Sequence, residues 1–181
     1  MKKLIRFLIL AVIVIVLIQY IPYTIEYFFP RNYNRYVEKY AAEYDVDKNL
    51  VYAVIKAESN FNREARSNKG AKGLMQLTDE TAVWCAKKID MDIYDILDPD
   101  DNIRLGTYYL SYLIEKCGGN EQNAIAAYNA GHGNVEKWLK NSEYSSDGKT
   151  LSKIPFAETE KYVKKVELFK KIYIWENEKK R

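Results

Sequence analysis

One histidine and two cysteines in 181 residues are too few for a structural zinc site, which takes four Cys or His ligands; Cys85, Cys117 and His132 also stand at unrelated spacing. No cofactor or metal is expected. His132 is alone in its loop and reads as solvated. Runs alternating apolar and polar are almost absent, which removes the signal for strands and excludes a sheet as the organising element. No basic cluster or aromatic-basic motif of an RNA binder occurs, so no nucleic acid is expected as a partner. The net charge of +3 does not change this. Lys2, Lys3, Arg6 and Arg31 against Glu26 account for all of it, and the chain beyond residue 32 holds 24 residues of each sign. Internal repeats and low-complexity stretches are also missing. The cysteine pair permits a disulfide in an oxidising compartment, and two buried thiols suit the sequence equally.

Charge is missing altogether from Phe7 to Ile25, a run of 19 residues. As helix at about 1.5 Å per residue it reaches roughly 29 Å, the hydrocarbon thickness of a bilayer. Its apolar part, up to Ile18, is followed by Gln19-Tyr20-Ile21-Pro22-Tyr23, too bulky for a signal-peptidase site, so an uncleaved anchor is the expectation. Pro22 should kink or end this helix, and Tyr20, Tyr23 and Tyr27 form an aromatic belt. Lys2, Lys3 and Arg6 hold residues 1–6 in the cytoplasm. Residues 7–25 then span the membrane, 26–32 are a linker, and 33–181 are a domain on the extracytoplasmic side. This makes it a single-pass protein of the cell membrane.

What the chain does have is helical periodicity. Tyr33, Tyr36, Tyr40 and Tyr44 share one stripe. Asp47 precedes a helix that ends at Glu58, and residues 60–73 read as a loop. Helices follow from Thr78 to about Lys88, from Asn102 to Lys116, from Glu121 to Asn129, from Gly133 to Lys140 and from Thr159 to Trp175. Asn102 reads as a helix cap, and the charged end from Glu176 to Arg181 as frayed and solvated. The fold class is mainly α.

Val51, Val54, Ile55 and Glu58 recur at helical spacing, so a carboxylate continues an apolar face. Desolvation there raises its pKa. A glycosidic bond needs such a group, because its oxygen must be protonated before it leaves. The alternative for Glu58 alone is a solvated acid at a helix end.

Four blocks stand in order, the first holding Glu58 itself: Glu58-Ser59-Asn60-Phe61, then Ser67 through Gly70-Ala71 to Gly73-Leu74-Met75-Gln76, then Ala127-Tyr128-Asn129-Ala130-Gly131, then Ile154-Pro155-Phe156-Ala157-Glu158-Thr159 with Tyr162 behind. Together they resemble the catalytic domain of soluble lytic transglycosylases, a branch of the lysozyme-like superfamily, over roughly residues 33 to 173. The resemblance implies a lysozyme-like helical domain with an active-site groove and peptidoglycan glycan strands as partner. It implies cleavage of the β-1,4 bond between N-acetylmuramic acid and N-acetylglucosamine, with Glu58 as acid and then base and a 1,6-anhydro product. Ser67, Met75, Gln76, Tyr128, Asn129 and Tyr162 take substrate-binding roles by the same analogy, Tyr128 with its hydroxyl aimed at Glu58 or the acetamido group. Met75 and Tyr128 also read as core, and Ser67 as loop structure. Thr78 stands where the family often has methionine, which puts sugar affinity there in question. Three other readings remain at this stage: a lysozyme-like hydrolase, a non-catalytic peptidoglycan-binding component, and a scaffold bound to other proteins of an envelope complex.

Overall fold

A computed structural model describes residues 2–92 and 94–179, with the side chains of residues 2, 4, 15, 17, 18 and 21–23 outside that description. The described residues form eight helices: α1 (Lys2–Phe28), α2 (Asn34–Glu43), α3 (Lys48–Glu58), α4 (Asp79–Lys88), α5 (Pro99–Lys116), α6 (Glu121–Ala130), α7 (His132–Leu139) and α8 (Ala157–Lys179). They contain no strand, only isolated bridges joining Lys72 to Arg66 and to Leu77.

Helix α3 lies at the centre. Asp47 caps its start by accepting from the Asn49 amide, and every residue from Leu50 to Ile55 is buried. A helix apolar on all sides is one that others enclose, and α8 and α2 lie across it. Burial stops at Lys56, so Glu58 emerges where the helix leaves the core.

Three expectations about helix ends change. Helix α5 starts at Pro99, with Asp98 as cap accepting from the amides of Asp100 and Asp101. Proline at the first helical position gives up an amide that has no partner anyway. Asn102 is therefore no cap but a fully buried residue inside the helix. Helix α8 runs on to Lys179, and Glu176 is buried rather than frayed. It lies one turn beyond Tyr173 on the inward face and meets Arg31, whose Nε donates to it at 3.1 Å. Helix α1 continues past Pro22 to Phe28.

The stretch expected as a linker, 26–32, includes the end of α1 and a docked segment. Phe29 sets its ring edgewise on Phe169 and Tyr173. Arg31 donates to the Tyr173 carbonyl at 2.7 Å and lies over the rings of Tyr52 and Tyr173. Among the described residues, no helix is long and apolar enough to cross a membrane; in the proposed belt, Tyr20 and Tyr27 are exposed and the Tyr23 side chain lies outside the description. The cysteines are free thiols, Cys85 buried beside Leu77 and Leu105, and Cys117 at the edge of the main core. Burial pushes their pKa values up to about 12 and about 11.

Candidate active site

Glu58 ends α3 half-buried, and burial pushes its carboxyl up to about 7. Two groups oppose that rise without cancelling it. The Tyr162 hydroxyl, brought by α8, donates to Oε1 at 2.6 Å, and the Lys165 ammonium adds positive charge nearby. Lys165 sits one turn beyond Tyr162 and donates to the Ala57 carbonyl at 2.7 Å, satisfying a helix-end acceptor. A carboxyl that titrates near neutrality can both give and take a proton.

The chain reverses just after Glu58 through Asn60 and Phe61, both left-handed at φ 51° and 64°. Such backbone costs of order 1–3 kcal/mol per residue and persists where its surroundings impose it. Here they are identifiable. The Phe61 ring is buried 6.4 Å from that of Tyr52, and Ser59 Oγ donates 2.8 Å to the Leu74 carbonyl.

That carbonyl belongs to the second motif block, a turn from Gly73 to Gln76. Gly73 has φ +78°, and a Cβ there would stand 2.7 Å from the Ile96 carbonyl oxygen, so glycine is needed for both conformation and space. Asn102 holds the turn from below. Its Oδ1 accepts the Met75 amide at 2.8 Å, and its Nδ2 donates to the carbonyls of Ile96 and Lys72 at 2.7 and 3.2 Å. Gln76, also left-handed, donates from Nε2 to the carbonyls of Gly73 and Ala65 at 2.9 and 3.1 Å.

The structure sorts the expected site residues into two groups. Glu58 and Tyr162 are in direct contact, and Tyr128 lies close enough to interact with Glu58 electrostatically. The hydroxyl of Tyr128, however, donates to the Met75 carbonyl at 2.8 Å, not to Glu58. Tyr162 holds the position expected of Tyr128. Met75 is corrected more sharply: its side chain is fully buried, against Gly106 and Thr107, and has no surface for a sugar to touch. Ser67 is exposed, its Oγ accepting from the amides of Lys69 and Ala71, a loop-forming pattern. Asn129 Oδ1 accepts from Thr159 Oγ1 at 2.8 Å and ties the end of α6 to the start of α8. Thr78 caps α4 by accepting from the Thr81 amide, which gives this position a structural task. His132 is not solvated in a loop; it opens α7 half-buried.

Asn102 and Lys165 were missed. A lone amide beside the apolar Ile103 in α5, and a lysine one turn from Tyr162, were the available signals.

Residues 35–151 match the family model described as the transglycosylase SLT domain. Over 143 residues the chain is 38% identical to the soluble lytic murein transglycosylases of Salmonella typhimurium and Escherichia coli, covering 76% of this chain and 22% of each relative. It is 33% identical over 161 residues to membrane-bound lytic murein transglycosylase C of Yersinia pestis, covering 76% of this chain and 45% of that protein. Among solved structures, the 70 kDa soluble lytic transglycosylase of Escherichia coli superposes with a TM-score of 0.75 at 34% identity, over 83% of this chain and 25% of that one. An inactive mutant of the lytic transglycosylase Slt of Pseudomonas aeruginosa gives 0.72 at 35% identity, over 80% and 24%. The chain thus spans less than a quarter of the length of the soluble curated relatives it matches.

Proposed function

Since the chain belongs to the transglycosylase SLT domain family and has its lysozyme-like helical fold, we propose that it cleaves peptidoglycan glycan strands without consuming water, between N-acetylmuramic acid and N-acetylglucosamine. Residues 33–181 are the catalytic domain in this reading. The observation that carries it is the state of Glu58: a carboxyl at a helix end, raised to about 7 by burial and hydrogen-bonded by Tyr162.

The protonated Glu58 gives its proton to the glycosidic oxygen as that oxygen leaves the anomeric carbon. The sugar's own 2-acetamido oxygen bonds to the same carbon and covers the positive charge. Glu58, now a carboxylate, takes the proton of the 6-hydroxyl, whose oxygen displaces the acetamido oxygen and closes the 1,6-anhydro ring. The carboxyl ends protonated as it began. Tyr162 serves the second half, since a donor to a carboxylate favours the charged form that acts as base. Two-carboxylate glycosidases need a second acid beside the first. Of the two acids that open α4, Asp79 pairs with Lys72 at 2.7 Å and Glu80 is exposed at the rim of a concavity lined by Trp84 and Tyr112.

The test is the mass of the products. Muropeptides released from purified wall by the full chain should end in anhydro sugars, lighter by one water than those of a hydrolase. Fully hydrated ends would mean a lysozyme-like hydrolase, and no release at all a wall-binding component.

We also propose that the uncharged run from Phe7 to Ile25, several of whose side chains lie outside the described residues, anchors the chain in the membrane, with Lys2, Lys3 and Arg6 before it. The catalytic domain then lies on the extracytoplasmic side, where the glycan is, within reach of other envelope proteins.

A further inference from the structure

The outward side of α8 is basic and apolar at once. At 3.6 residues per turn, Lys161, Lys164, Lys165, Lys171 and Lys179 fall within roughly a third of the helix circumference. Leu168, Ile172 and Trp175 stand between them in the same arc, and no acid does. The arc faces away from the core, because Tyr162, Val166 and Tyr173 hold the buried side. Leu168 is 55% exposed, unusual for a leucine with lysines on both sides. Ile172 and Trp175 are half-buried, and the Lys179 ammonium lies 4.9 Å from the Trp175 ring centroid. Within the arc, Lys164 pairs with Glu160, and Lys165 donates to the Ala57 carbonyl. The acids of α8 stand at the borders, Glu160, Glu167 and Glu178 along one, Glu158 and Glu176 along the other.

A second observation is where the chain enters the domain. Residues 29–31, just beyond α1, dock along the Glu176 border of this arc. The Phe29 ring lies 5.2 Å from that of Phe169 and 5.7 Å from that of Tyr173. The Tyr173 hydroxyl donates to the Pro30 carbonyl at 3.2 Å, and Arg31 pairs with Glu176 at 3.1 Å. The Lys165 ammonium, inside the arc, lies 5.8 Å from the Phe169 ring that Phe29 meets. The segment leading out of α1 is therefore fixed beside the basic face.

We propose that the outer face of α8 rests on the bilayer surface, with its lysines at anionic lipid headgroups and Leu168, Ile172 and Trp175 at the boundary between headgroups and acyl chains. The inference rests on the anchor reading of the run from Phe7 to Ile25. Lysines interleaved with exposed apolar side chains suit an interface that is charged above and apolar beneath, and tryptophan favours that depth. A soluble polyanion would answer the lysines and leave the apolar residues in water. The anchor also keeps the bilayer at high effective concentration beside the face, so a weak contact suffices to hold it. Because Lys165 also holds the Ala57 carbonyl next to Glu58, docking brings the catalytic end to glycan close to the membrane.

The face is tested on the full chain reconstituted into vesicles of phosphatidylcholine alone or mixed with phosphatidylglycerol, the lipids brominated near the top of their chains to quench tryptophan at that depth. Phosphatidylglycerol should bring quenching of part of the emission, and Trp175→Phe should remove the quenched part. Lys161→Gln and Lys171→Gln should each lower the ratio of docked to undocked domain about fivefold. Both variants should still lyse purified wall in detergent at the parent rate. Salt at about 1 M, where the Debye length is about 3 Å, should abolish most of the quenching. If Trp175→Phe does not fold, Leu168→Gln at its exposed position carries the test by the same loss of quenching. Equal quenching in neutral and anionic vesicles, or none in either, overturns the proposal. So do lysine variants that lose binding to soluble polyphosphate with quenching unchanged, which would make the face a site for a soluble polyanion. Sedimentation with neutral vesicles in the high salt reports on the anchor separately. A chain released there, yet quenched through its lysines in anionic vesicles at low salt, would sink the anchor and leave the α8 face standing.

Discussion

At the scale of single residues, Glu58 and Tyr162 form the pair on which the chemistry turns. Folding raises the Glu58 pKa from the ordinary carboxylate range to about 7. A group raised in the folded state binds more protons there than in the unfolded chain between those two values. Stability must then fall as pH rises through that window, and level off above about 7. Activity should have an alkaline limb at the same place, since the first step needs the protonated acid. Tyr162→Phe removes a bond that favours the carboxylate, so the limb should move to higher pH. Turnover should drop by roughly 10-fold or more as the base form loses its donor. Tyr128→Phe should cost only about 1 kcal/mol of stability and leave the limb in place, because its partner is the Met75 carbonyl. A pH–rate profile and a melting curve for each variant check this; a limb that moves with Tyr128 and not with Tyr162 would reverse the two assignments. The burial of Glu58 was legible from its place on the Val51–Ile55 face. Which tyrosine would meet it was not, because that depends on how α6 and α8 approach α3.

At the scale of elements, most helices were legible, and the misplaced ends share a cause. Local rules place a start where apolar periodicity begins, whereas α5 starts at Pro99, before its apolar face, because Asp98 caps it. The Glu176 turn looks solvated by composition and is buried because Arg31, 145 residues away, supplies its counter-charge. A partner that far off leaves no trace in local pattern. Asn102 showed locally only as an amide beside Ile103, its work lying in the Lys72–Met75 turn, 27 to 30 residues away. Helix α1 carries its own prediction. Alkaline carbonate extraction of cell membranes should leave the full chain in the pellet, whereas a chain lacking residues 2–25 should be released. Recovery of a soluble domain starting near residue 30 from untreated cells would show a cleaved leader instead.

At the scale of the molecule, four separated motif blocks meet around one helix end. Glu58 closes α3, Ser59 holds the Leu74 carbonyl of the second block, Tyr128 of the third holds the Met75 carbonyl, and Tyr162 follows the fourth. The fold thus makes two shared contacts on consecutive peptides, which is why Met75 matters through its backbone while its thioether fills the core beside Gly106. Sequence order revealed that these blocks belong together; the division between residues facing substrate and residues holding the turn required the three-dimensional arrangement. The central claim is that one carboxyl performs both proton transfers, and Glu58→Gln tests it most directly. The amide keeps the shape and has no proton to transfer, so the variant should melt close to the parent and release anhydro-muropeptides from purified wall at least about 10² to 10⁴-fold more slowly. A folded Glu58→Gln protein lysing wall at more than about a tenth of the parent rate would contradict the account, because acid catalysis by this residue is worth at least about 10²-fold in it.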